Sequence, residues 1–269
     1  MRYQKRIFSI LILFLIGSLT FILSCEESTV DPEPTEQPTL PPEASMKMDL
    51  SLFIGQAAQS LAKNPALTKY HFATAVVTAT LVNASVLVHL AVPTAVFAAA
   101  FSQEPEFKDD GKWHWIYSIN NYSADLAGWI DTPNKEAVWE MYVSHGNNLN
   151  NFLWYEGRSN LTGTAGYWLF YNAENPDSPA EMVRLDWTNN SVTDRTLQIT
   201  NVWEGNSGQG DILKYTVDGT DNSIEFYDAS EDITAIIFWD SETTAGYIHL
   251  PNYNNGEPAY WDENHNDLP

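Results

Sequence analysis

Asp262-Glu263-Asn264-His265-Asn266-Asp267 places side-chain oxygens at alternate positions, the spacing with which a loop begins to wrap a calcium ion. Asp262, Asn264 and Asn266 are the candidate ligands. The pattern is incomplete, because Asp267 stands at the sixth position, where such a loop needs glycine for its sharp turn. A solvated, frayed terminus is the simpler expectation. Elsewhere the chemistry-bearing residues do not assemble. His71, His89, His114, His145, His249 and His265 are scattered without ligand spacing on a common element, and no His-Glu-x-x-His pair occurs. His89, inside Leu87-Val88-His89-Leu90, reads as a hydrogen-bonded core histidine. Gly205-Asn206-Ser207-Gly208-Gln209 has glutamine where a nucleophile elbow ends in glycine. The 35 acidic residues could include a carboxylate pair for glycoside hydrolysis, yet no spacing selects which two. No cofactor motif is found, and the reading is of a protein without a catalytic centre. All ten tryptophans lie between Trp113 and Trp261. Exposed Trp and Tyr on a rigid sheet stack against sugar rings or anchor a protein partner, so a glycan or a protein is the partner class they admit. Most of them should be core.

The elements that must position these groups follow from the chain's periodicities, beginning at its start. Arg2, Lys5 and Arg6 precede an apolar run from Ile7 to Ile22, the charge-then-apolar layout of a secretory signal. The run meets Ile22-Leu23-Ser24-Cys25, which resembles the lipobox of bacterial lipoproteins, and the only cysteine of the chain stands where that motif needs it. The resemblance implies that residues 1–24 are a signal peptide and that Cys25 becomes the lipid-bearing first residue. Two or more acyl chains there would give stable anchoring, where one gives only reversible binding. It implies a place in the cell envelope, at the outer membrane, on its periplasmic face or at the cell surface, as in the lipoproteins of Gram-negative bacteria. A lipidated Cys25 is no nucleophile, and a single cysteine excludes disulfides within the chain.

Residues 25–45 carry the lipidated cysteine and a stretch rich in proline and acids with no basic residue, expected to be a disordered, extended tether. Residues 46–110 form a helical lead. Leu50, Phe53, Ile54, Ala57, Ala58 and Leu61 keep helical spacing from Met46 to Ala62, and Asn64-Pro65 ends that helix. Residues 72–102 contain no Asp, Glu, Lys or Arg, but Thr74, Thr78, Asn83, His89 and Pro93 dilute the run, which predicts one or two buried helices broken near Pro93 rather than a membrane span.

From Gly111 to Pro269 the period changes to two. Val183, Leu185 and Trp187 share one face, as do Ala137, Trp139, Met141 and Val143, and similar runs recur at about 113–119, 124–130, 151–156, 165–172, 194–203, 211–217, 223–228, 233–239 and 244–250. Turn-formers such as Gly157, Gly163, Asn175-Pro176, Gly205 to Gly210 and Asp218-Gly219 punctuate them. Connections this short leave no room for crossover helices, so neighbours pair antiparallel. The fold class expected is mainly β within α+β: an aromatic-rich antiparallel meander forming a curved sheet or open barrel, with the N-terminal helices packed on it as one unit.

A formal charge of −22, three units more negative once Arg2, Lys5 and Arg6 are removed, excludes nucleic acid and anionic lipid headgroups as partners, since both need clustered cations. The membrane enters through the anchor at Cys25. What the sequence supports is a non-catalytic binding or structural module of the cell envelope. Two alternatives stay open: a carrier of a lipid or other apolar ligand in a half-barrel cavity, similar to the lipoprotein-localisation carriers, and a carbohydrate-active enzyme. Cys25→Ser should abolish acylation, because no second thiol exists to accept the lipid. Radiolabelled palmitate reports this, and label kept by the variant would remove the lipoprotein reading.

Overall fold

The computed structural model of the protein describes residues 35–54, 69–86 and 90–269. Cys25, His89 and the Asn64-Pro65 helix stop lie outside the described residues. From Glu106 the chain forms thirteen strands in one antiparallel sheet whose spatial order is its sequence order. These are β1 (Glu106–Phe107), β2 (Trp113–Ile119), β3 (Tyr122–Asp131), β4 (Glu136–His145), β5 (Leu149–Asn160), β6 (Ala165–Tyr171) and β7 (Glu181–Ser191). They continue as β8 (Asp194–Asn201), β9 (Ile212–Asp218), β10 (Asp221–Asp228), β11 (Ile233–Asp240), β12 (Gly246–His249) and β13 (Ala259–Trp261). The sheet does not close on itself. Tight turns make the meander: Asn120 and Asn121 take positive φ of 49° and 68° between β2 and β3, a left-handed turn that asparagine tolerates. Register shifts within the β4–β5, β6–β7 and β7–β8 pairs bend the strands further.

Among the described residues, three helices lie on the inner face: α1 (Ser51–Ile54), α2 (Tyr70–Val86) and α3 (Ala91–Ala100). α2 packs on β12 and β13, and α3 on β2 and β3, so the helical layer reaches toward both ends of the sheet. Each helix seats a phenylalanine edge-on against an indole. Phe53 meets Trp239 at 4.9 Å, Phe72 meets Trp261 at 5.6 Å, and Phe97 meets Trp168 at 5.3 Å between ring centroids. Tyr117 on β2 donates to the carbonyl of Val96 at 2.6 Å. Among the described residues, no helix is long and apolar enough to cross a membrane.

Three expectations for the N-terminal part change. The first helix begins at Ser51 rather than Met46: Met46, Met48 and Leu50 are buried while Lys47 and Asp49 are exposed, an alternation of period two. Asp49 then turns the chain into α1 by accepting the Ser51 N–H at 3.0 Å. Pro93 does not break a helix but sits in the first turn of α3, which starts at Ala91, where no N–H is needed for a helical bond. Residues 35–45 are not a free tether, since Pro38, Pro41 and Ser45 are buried, and residues 25–34 lie outside the described residues. Two indoles hold this segment, Trp113 donating to the Thr35 carbonyl and Trp168 to Ser45 Oγ, each at 3.1 Å.

The inner face is organised by tryptophan and glycine on facing strands. One register row reads Trp113, Gly128, Trp139, Gly157, Trp168 from β2 to β6. Another reads Trp239, Gly246, Trp261 from β11 to β13, and Gly166 on β6 faces Trp187 on β7. Gly157 is therefore the middle of a strand and not the turn its type suggests. Each glycine leaves the space that an indole covers: a Cβ on Gly128 would lie 2.5 Å from Trp139, and one on Gly246 would lie 2.7 Å from Trp261. Gly128→Ala should therefore destabilise the domain by about 1–3 kcal/mol, the usual cost of overpacking a core, because Trp139 is fully buried and cannot move aside. Denaturant unfolding followed by tryptophan fluorescence measures it, and an unchanged midpoint would show that the indole does not fill that space.

Candidate functional site

The candidate cation loop is put to another use. Asp262 Oδ1 accepts the backbone N–H groups of Asn264 at 2.9 Å and Asn266 at 2.8 Å, and its Oδ2 accepts Asn266 Nδ2 at 3.2 Å. Asp262, Asn264 and Asn266 thus satisfy one another. Among the described residues, no group of His, Cys, Asp and Glu is gathered to hold a metal. Nor is the terminus frayed, contrary to the expectation above. Asp267 bridges to Trp261, and its carboxylate caps α2 by accepting the N–H groups of Tyr70 at 3.1 Å and His71 at 2.9 Å. Lys69 donates to the Asn264 carbonyl at 2.7 Å, and His265 stacks on Phe72 at 3.7 Å with its Nε2 2.9 Å from Thr244 Oγ1.

The other described histidines each have their own partner. His114 is held between Asp125 at 2.8 Å and Asp110 at 3.1 Å, His71 meets the Tyr253 hydroxyl at 2.7 Å, His145 stacks on Tyr122, and His249 meets the Gly256 carbonyl at 3.0 Å. Of the aromatic side chains, Trp115, Trp139, Trp168 and Trp261 are fully buried. A short strip stays outside: Phe238, Tyr247 and Tyr260 face one another across β11, β12 and β13 on the outer surface, with centroids 5.3 and 5.4 Å apart.

A cup of about 470 Å³ opens at the end of the inner face bounded by the β7–β8, β9–β10 and β11–β12 turns. That volume lies in the range of small-molecule sites, about 300–1,000 Å³. One register row crosses it, Arg195 on β8, Val217 on β9, Asn222 on β10 and Trp239 on β11. Asp49, Ser51 and Leu52 form the opposite wall, and Thr193, Ser241 and Thr244 come from the turns. Arg195 and Asn222 share their faces with Leu197 and Ile224, so strand alternation alone drives a guanidinium and an amide inward.

Arg195 is the chemically distinctive group of this cup. Arg158 pairs with Asp131 at 3.0 Å and Glu136 at 3.2 Å, and Arg184 pairs with Asp186 at 2.7 Å. Arg195 has no ion pair among the described residues. Its Nη2 lies 3.5 Å from the Tyr215 hydroxyl, and its Nε is buried without a hydrogen-bond partner. Burial pushes the Tyr215 phenol up, and the Arg195 charge offsets part of that rise. Across the cup the Ser51 hydrogen bonds hold the Asp49 carboxyl below its ordinary range, with the charge of Arg195 acting in the same direction. Arg195 was not among the residues the sequence singled out. Its signal was a charged residue on the apolar parity of a strand.

A second depression of about 330 Å³ lies at the other end of the same strands, under the 202–211 loop, with Val183, Ile199, Leu213 and Phe226 as an apolar floor and Trp203 at its side. No family model, no curated protein and no solved structure matches this chain.

The pinned tail makes stability depend on pH. Burial lowers His265 below its ordinary 6.5, and the Lys69 charge adds to this against the weaker pull of Asp262. The fold thus prefers the neutral ring. Its contribution is fully present above the unfolded value and is lost as pH falls through that value toward the lower folded one. His265→Phe, which keeps a ring over Phe72 but does not titrate, should flatten the fall in melting temperature between about pH 7 and pH 5. An unchanged slope would mean that tail protonation does not matter.

Proposed function

We propose that the protein is a lipoprotein of the bacterial cell envelope, anchored at the outer membrane through Cys25, whose domain is a non-catalytic module that binds a small carboxylate in the cup at Arg195. The observation that carries the binding role is the unpaired guanidinium. In a chain with 35 acidic residues a partner for arginine is easily found, yet among the described residues no carboxylate pairs with Arg195, which lines an open cup. A guanidinium presents its N–H groups as a rigid fork that fits a carboxylate with two hydrogen bonds.

The anchor rests on the lipobox resemblance at Cys25. Because Trp113 holds the Thr35 carbonyl, at most residues 26–34 separate the lipid from the first held residue, a reach of no more than about 28 Å at 3.1 Å per residue. An apolar carrier finds less support, since the inner face is filled by Trp115, Trp139, Tyr155 and Trp168. Glycoside hydrolysis uses a flanking pair of carboxylates, and Asp49 is the one carboxylate among the described residues that line the cup.

Titration of acetate, lactate and glycine at constant ionic strength, followed by calorimetry, tests the reading. At least one should bind saturably, and Arg195→Met should weaken it tenfold or more, as loss of a charge-assisted hydrogen-bonded pair of about 1.5–3 kcal/mol implies. Binding that Arg195→Met leaves unchanged, or no saturable binding at all, would overturn it.

A further inference from the structure

The cup holds two opposite charges that do not neutralise each other. Arg195 on β8 and Asp49 before α1 line the same space, and the Arg195 charge is felt at Asp49, but the two form no ion pair within 4.0 Å. Every other arginine beyond residue 34 touches its carboxylate. Asp49 is exposed, and its Oδ1 accepts the Ser51 backbone N–H. The same cup offers apolar surface from Leu52, Val217, Tyr215 and Trp239.

Resting on the carboxylate reading of this cup, we infer that its ligand is a zwitterion, a free α-amino acid with an apolar side chain, whose carboxylate meets Arg195 and whose ammonium meets Asp49. The ammonium presents three donors and no acceptor, which suits the exposed Asp49 carboxylate. The side chain lies on Val217 and Leu52. The charge of the whole chain favours the same class of ligand: a protein at −22 repels a free anion at long range, whereas a zwitterion carries no net charge into that field. A dianionic phosphate group would meet both that field and Asp49.

Calorimetry on the full chain with L-leucine, N-acetyl-L-leucine and L-leucine amide separates the two recognition points, since the second ligand lacks the ammonium and the third lacks the carboxylate. L-Leucine should bind at least tenfold more tightly than either derivative. Asp49→Asn keeps the oxygen that accepts from Ser51 and removes the charge, so it should erase the preference for leucine over N-acetyl-leucine while the preference over the amide remains. Arg195→Met should erase the preference over the amide. Equal binding of leucine and N-acetyl-leucine, or binding of acetate without leucine, overturns the zwitterion and leaves the carboxylate site standing. If no carboxylate binds, or if the amide matches leucine, both readings fall.

Discussion

An indole laid over the glycine of the next strand is the contact on which the rest of this molecule depends. A wide sheet that bends inward crowds its inner face, and tryptophan is the largest side chain to place there. The alternation of Trp113, Gly128, Trp139, Gly157 and Trp168 across five strands resolves that conflict by giving each indole a neighbour without a side chain. The helices then find seats on the surface so formed, one phenylalanine to one indole. No disulfide joins any part of the fold, because Cys25 is the single cysteine. A formal charge of −22 pushes the compact state apart through self-repulsion, so cohesion must come from buried area. Removing one such aromatic side chain from a core typically costs about 3–5 kcal/mol, a large part of the stability of a domain.

The strands were legible because a half-buried strand writes its burial into a period of two, and β2 through β11 each do so over four or more residues. β1 and β13 escape notice for the opposite reason: two or three residues cannot display a period, and their pairing is decided by distant partners. The segment before Ser51 misleads differently. Its composition is that of an unfolded chain, but Thr35 and Ser45 accept from the indole N–H groups of Trp113 and Trp168, a demand that lies far away in sequence, and Pro38 and Pro41 between them are buried. Met46, Met48 and Leu50 fit a strand-like period, while Leu50 and Phe53 also fit a helical one. The choice between them falls to Asp49, whose turn onto Ser51 starts α1.

The carboxyl-terminal acids show how one residue pattern serves two kinds of chemistry. Alternating oxygens suit a cation, and they suit equally the free N–H groups at a helix start or within a turn. Asp262 turns its oxygens to Asn264 and Asn266, and Asp267 gives both of its own to Tyr70 and His71. Nothing in the local sequence distinguishes these uses, because the N-terminus of α2 lies almost two hundred residues upstream. The tail is thereby made part of the helical layer, which ties the last strand to α2 through Phe72, Trp261 and His265.

The cup was hidden for a related reason, although its clue lay in plain view. Strands that bury one face reject polar residues there, since a buried donor left without a partner costs about 1–3 kcal/mol. Three buried polar atoms lack partners among the described residues: the Tyr155 hydroxyl, the Trp187 indole nitrogen and Arg195 Nε. The first two belong to aromatic rings whose burial outweighs one lost hydrogen bond. Arg195 has only the Tyr215 ring at 5.7 Å and its hydroxyl at 3.5 Å, which is little beside the desolvation of a guanidinium. It also occupies the row of Val217, Asn222 and Trp239, where an aliphatic residue would complete the core. A charge kept inward at a position that packing would give to leucine is a local cost without a structural return. Local costs of this kind concentrate at functional sites.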